Sequence, residues 1–194
     1  MNPHRIYLLL CFFCVLILLF SSIAPPHAFA WVSPTTHGPS PGVVHQAYNP
    51  PQHNWLSGHR GVDLAATPGS PIYAAGDGTV AFIGVVAGSP TVSIDHEEPL
   101  PAAATASDAP AVGQEITIRT TYQPVIPHVE KGQRVREGEM IGHMGGQPAP
   151  RHQVTSGLHW GARILPTDDR YINPLILLPT PTIRLKPLSP DRSA

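Results

Sequence analysis

The chain has 194 residues, with 12 basic against 13 acidic side chains and a formal net charge of -1. A balance this close to neutral, with only 13% charged residues, excludes the basic surface that nucleic-acid binding needs. The 24 prolines and 17 glycines favour strands, turns and extended segments over helices, and the length fits one domain with a modest core and irregular ends.

The first thirty residues have the form of an export signal. His4 and Arg5 precede an almost wholly apolar run from Ile6 to Phe20, and Ala28-Phe29-Ala30 supplies a small-residue cleavage site. Cleavage after Ala30 is expected. The alternative is a retained segment of nearly spanning length, which would be the protein's attachment to a membrane. Cys11 and Cys14 are the only cysteines and both lie here, so the exported chain is expected to have no disulfide and no thiolate metal ligand.

Residues 31–54 carry many Pro, Gly, Ser and Thr and show little periodicity, which predicts an extended linker. Such a segment is able to drape along a groove. His37, His45 and His53 within it are expected in solvent.

The domain proper is expected over residues 55–178, and its most informative stretch runs from Gly58 to Val80, GHRGVDLAATPGSPIYAAGDGTV. It places His59 and Asp63 four residues apart in a Gly-rich segment without helical periodicity. An imidazole and a carboxylate are both good ligands for a divalent metal such as zinc. On spacing alone, the bland reading is a surface histidine beside a turn-capping aspartate. A turn at Thr67-Pro68-Gly69-Ser70, a short strand Pro71–Ala75 and a second turn at Gly76-Asp77-Gly78 follow.

Short strands are predicted over Gly78–Val86 and Thr91–Asp95, with a turn between them and His96 as a turn residue. Residues 97–113 have the composition of an exposed flexible loop. From Glu115 to Tyr122 the pattern alternates, with Ile116 and Ile118 on one face and Thr117 and Arg119 on the other. Val129–Gly142 is Gly-punctuated, and its glycines suit tight turns between short strands. A polar loop from Gly142 to Ser156 contains His143 and His152, and Leu158–Ile164 forms the next strand. On that strand His159 lies between Leu158 and Trp160, so its side chain faces opposite to theirs. From Pro179 onward a Pro-rich, basic stretch reads as a disordered tail.

From His59 to Val80 the sequence resembles the lysostaphin/LytM-like zinc endopeptidases, whose pattern is H-R-G-x-D-(L/I/F)-A, then G-(T/S)-P-(I/V)-x-A-x-x-x-G-x-V. Val92, Ile94 and His96 match the family's V-x-I-x-H, and Val129–Gly142 matches its V-x-x-G-x-x-V-x-x-G-x-x-I-G. Tyr171-Ile172-Asn173-Pro174 matches its closing Y-(V/I)-(D/N)-P. The resemblance spans about residues 58–178 with one insertion. It implies an all-β fold, an antiparallel sheet folded as a split barrel or sandwich with a metal-binding groove. It also implies zinc held by His59, Asp63 and His159, and peptidoglycan cross-bridge peptides as substrate.

The chain departs from the family at two further histidines, which act as general base and as stabiliser of the developing oxyanion. Pro124 stands at one position, in Tyr122-Gln123-Pro124-Val125, and Gly157 at the other, in Gly157-Leu158-His159. His128 and His152 are the candidates to stand in for them. Three expectations follow. The first is a secreted, wall-associated zinc peptidase of reduced activity. The second is a catalytically degenerate zinc module that binds the wall or activates a partner hydrolase. The third is a metal that merely staples a small β-domain.

Overall fold

Alternating apolar residues and frequent Gly and Pro turns dictate short strands, and short strands are what form. The computed structural model describes residues 31–53, 55–97, 116–146, 157–166 and 170–179. The signal-like segment, nearly all of the 97–113 insertion, His152 and the tail beyond residue 179 lie outside them. Among the described residues eleven strands occur: β1 (Val44–Gln46), β2 (Gly61–Ala65), β3 (Pro71–Tyr73), β4 (Gly78–Val86), β5 (Ser89–His96), β6 (Thr117–Gln123), β7 (Val125–Pro127), β8 (Arg134–Val135), β9 (Met140–Met144), β10 (Gly157–Leu165) and β11 (Tyr171–Ile172). Among the described residues the helical element is one 3-10 turn, Pro174–Leu177, which Asn173 caps by accepting the Leu175 N–H.

Two antiparallel sheets result. The larger runs β1-β2-β10-β6-β5-β4-β8 with β11 on the side of β10, and the smaller runs β3-β9-β7. The all-β antiparallel architecture is therefore the one the sequence implied. Along β6 the alternation sends Ile118, Thr120 and Tyr122 inward, and along β10 Leu158, Trp160 and Ala162 do the same. These join Val62, Leu64, Ile72, Ile94, Val125 and Ile141, from both sheets, in one apolar core. The Tyr122 hydroxyl, which burial pushes up to about 12, accepts the Ala75 N–H just beyond β3 at 2.9 Å and so ties the two sheets together.

The glycine turns fall where expected. Gly132 and Gly138 adopt φ of +87° and +70°, backbone that a side chain would strain. Between β4 and β5 the hairpin turns on Ala87 and Gly88 with φ of 50° and 83°, so Ala87 holds a left-handed conformation unusual for a residue with a Cβ.

Two sequence expectations need correction. Residues 31–54 are no simple spacer. Trp31 is buried, the Val32 N–H donates to the Ala75 carbonyl, the Tyr73 N–H donates to the Pro34 carbonyl, and β1 extends the larger sheet along β2. Edge addition works through main-chain hydrogen bonds, which leave no apolar period to read. His96 is likewise not a turn residue but the last residue of β5. It is wholly buried at the end of β5, with Nδ1 2.8 Å from the Asp77 carbonyl and Nε2 2.8 Å from Thr120 Oγ1, and its ring packs against Trp31. Burial pushes its pKa down to about 4, against the opposing pull of the Asp77 carbonyl and nearby carboxylates, so it is neutral at pH 7.

Candidate metal centre and groove

Asp63 sits mid-strand in β2 and pairs directly with His159 of β10, so the ladder register itself brings the two side chains onto one face. His59 precedes β2 and is held by a two-residue bridge to Asn49, each backbone N–H donating to the other's carbonyl at 2.8 and 2.9 Å. The three side chains converge. His59 Nε2 lies 3.1 Å and His159 Nδ1 2.9 Å from Asp63 Oδ1, and the two imidazole nitrogens are 3.1 Å apart. His59 Nδ1 lies 2.8 Å from the Ala47 carbonyl, a bond in which the ring nitrogen must donate, so Nε2 is the atom left free to bind a cation.

Electrostatics agree with a cation site. Burial favours the neutral form of Asp63, but its contacts with His159 and His59 outweigh this and lower it to about 2. Burial lowers His59, yet the bond to Asp63, the Ala47 carbonyl and the Asp63 charge together raise it above the usual imidazole value. Asp63 Oδ2 is buried with no hydrogen-bond partner, an arrangement that a divalent ion would satisfy. Two imidazole nitrogens and a carboxylate, all within 4.8 Å of one another, make a donor set suited to zinc with a position left open.

The glycines around the centre are spatial requirements. A Cβ on Gly61 would lie 2.5 Å from the Trp160 carbonyl oxygen and 2.7 Å from His159 Cε1, so only glycine lets that ring sit where it does. A Cβ on Gly157 would lie 2.6 Å from the Leu64 carbonyl oxygen and 3.4 Å from His45 Cδ2.

The centre lies in an open groove of about 1000 Å³. Gln123, Pro124, Gly157 and Gly161 line it near the metal residues, Phe82 and Val86 line it from the β4–β5 hairpin, and Arg119 lines it from β6. Arg119 holds Asp95 through a two-point ion pair, Nε to Oδ1 at 2.6 Å and Nη2 to Oδ2 at 2.7 Å. Pro124 and Gly157 thus flank the centre but bring no ionisable side chain to it. His128 does not line the groove. It is exposed beyond β7 in the smaller sheet, with Nε2 3.1 Å from His143 Nδ1. Sequence reasoning missed the Ala47 carbonyl, because a backbone acceptor carries no residue signature.

An all-β chain with a His-Asp-His group facing an open groove is a candidate metallohydrolase. The sequence profile of Peptidase family M23 matches residues 57–174, more than half of the chain, and the chain belongs to that family. It is 41% identical over 180 residues to an uncharacterized protein of Mycobacterium tuberculosis and equally to one of Mycobacterium bovis. The match covers 91% of this chain and 64% of theirs, so the chain spans under two thirds of the length of those relatives. Among solved structures it is similar to Csd3 of Helicobacter pylori, 26% identical with a TM-score of 0.51, over 82% of this chain and 37% of that one. It shares its fold with the antimicrobial peptidase lysostaphin of Staphylococcus simulans, 17% identical with a TM-score of 0.53, over 77% and 55% of the two chains.

Proposed function

We propose that this protein is a secreted zinc metallopeptidase that hydrolyses peptides of cell-wall peptidoglycan, with activity below that of family members carrying both additional histidines. The observation that carries the reading is the convergence of His59, Asp63 and His159 around an unpartnered carboxylate oxygen in an open groove. Zinc held by these three residues would polarise the scissile carbonyl and make water nucleophilic near neutral pH. The chain's own residues supply the frame. Asp63 neutralises charge, the Ala47 carbonyl fixes the His59 tautomer, and Gly61 lets the His159 ring turn into place. Gly157 and Gly161 keep the β10 side of the groove low, which suits an extended peptide.

The second reading is a zinc-binding module that docks on the wall or activates a partner hydrolase. Pro124 and Gly157 favour it, because neither offers a group to move a proton. Zymography on cell-wall sacculi, run beside a zinc assay of the same sample, separates the two. Lysis dependent on zinc supports the peptidase. Full zinc occupancy with no cleavage of sacculi or cross-bridge peptides overturns it and leaves the module. Export is tested separately, by N-terminal sequencing of protein from the secretory host, which should begin at Trp31.

A further inference from the structure

We propose that His45, carried in by the N-terminal arm, supplies the proton-transferring imidazole that β10 lacks at position 157. The proposal rests on the peptidase reading above and assigns a residue that neither the motifs nor the metal group single out.

The strand register carries it. Val44 pairs with Leu64 and Gln46 with Asp63, so two steps along β1 match one along β2, and His45 is the extra residue of a β-bulge. Bulges on edge strands re-aim side chains, and they recur beside active sites. Here the ring is aimed across β2 toward β10, since His45 Cδ2 lies 3.4 Å from the point where a side chain at 157 would begin. Positions 157 and 159 share one face of β10, two residues apart, and both line the groove. The imidazole therefore stands over the place, next to the metal residue His159, where a side chain from β10 would otherwise stand.

The arm is fastened on both sides of His45. The Ala65 N–H donates to the Val43 carbonyl at 2.9 Å, Asn49 is bridged to His59, and the Tyr48 hydroxyl donates to the Tyr171 carbonyl at 2.9 Å. The backbone is thus anchored while the side chain remains exposed. In peptide hydrolysis, oxygen of water bonds to the carbonyl carbon and the water proton passes to the imidazole. The C–N bond then breaks, and the imidazole returns that proton to the departing amine; the second water proton, left on the new carboxylic acid, then passes to the amine, giving a carboxylate and an ammonium. His45 is placed to make both transfers. His45 qualifies through its approach to position 157, whereas His128 is held against His143 beside the smaller sheet.

The test compares the zinc-loaded full-length protein with His45→Gln, using His53→Gln as control. The substrates are a panel of cross-bridge peptides, both glycyl and directly linked. The expected result is a fall in kcat of about 100-fold or more for His45→Gln, with KM and zinc content kept and one ionisation lost from the pH–rate profile. A second readout needs no turnover. With cobalt in place of zinc, the His45 ring proton resonances should shift and broaden far more than those of His53. Unchanged kcat in His45→Gln overturns the proposal while leaving the peptidase reading intact, and so does a His45 ring that cobalt does not perturb. A parent protein inactive on every peptide overturns both.

Discussion

Asp63 and His159 are direct partners in the β2–β10 ladder, and Nδ1 of one lies 2.9 Å from Oδ1 of the other. Two candidate ligands fixed by main-chain register need little reordering when an ion arrives, which is the condition for a preformed site.

Metal content follows from that geometry. The protein should hold one zinc per chain, and His59→Ala, Asp63→Ala and His159→Ala should each lose it by elemental analysis. Zinc at 100 times its Kd should stabilise the parent by about 2.7 kcal/mol, roughly 5–10 °C in Tm, and should leave Asp63→Ala unmoved. Because His59 is raised above the ordinary imidazole value, protons should begin to displace zinc at a higher pH than an unperturbed histidine would allow.

Stability should fall in acid through His96. Its folded pKa is depressed from 6.5 to about 4, so between those values the unfolded chain takes up a proton that the folded chain refuses. The stability is fully present above pH 6.5 and falls by about 3 kcal/mol as pH drops to 4. Urea midpoints measured across that window should slope for the parent and be flatter for His96→Gln.

Gly61→Ala should damage fold and site together. Its methyl would lie 2.5 Å from the Trp160 carbonyl and 2.7 Å from the His159 ring, forcing β2 and β10 apart. A loss of about 1–3 kcal/mol in denaturant unfolding, with reduced zinc affinity, is expected.

Ala87→Asn should stabilise. Ala87 holds φ of 50° in the β4–β5 turn, and asparagine tolerates that region better than alanine. A gain of about 0.5–1 kcal/mol is expected from thermal or denaturant melts.

The fold class was legible because β6 and β10 alternate cleanly, and the G-S-P-I and V-x-x-G punctuation marks turns that do carry positive φ, at Gly69 and at Gly132 and Gly138. The family resemblance pointed to His59, Asp63 and His159 as a set, and folding brings them within reach of one another. The arm was not legible. Its hold on the domain is a buried tryptophan, a bulged edge strand, the Tyr48 hydroxyl on the Tyr171 carbonyl and backbone hydrogen bonds, none of which makes a period. His96 was not legible for a related reason, because the groups that enclose it, Trp31, Asp77 and Thr120, lie far from it in sequence.

Sequence reasoning alone recommends Pro124→His with Gly157→His as the way to restore activity, yet the Leu64 carbonyl stands 2.6 Å from any Cβ at 157. At Gly157 the backbone of β2 occupies the space in which a side chain would begin, as the Trp160 carbonyl does at Gly61. A glycine in such a place acts as a ratchet. With backbone in that space, a side chain can return at 157 only if β2 and β10 shift, so recruiting a group from elsewhere, such as the arm, is the less disruptive route to turnover. Lineages carrying this glycine should therefore vary in the strand facing it more readily than they regain the residue they lack.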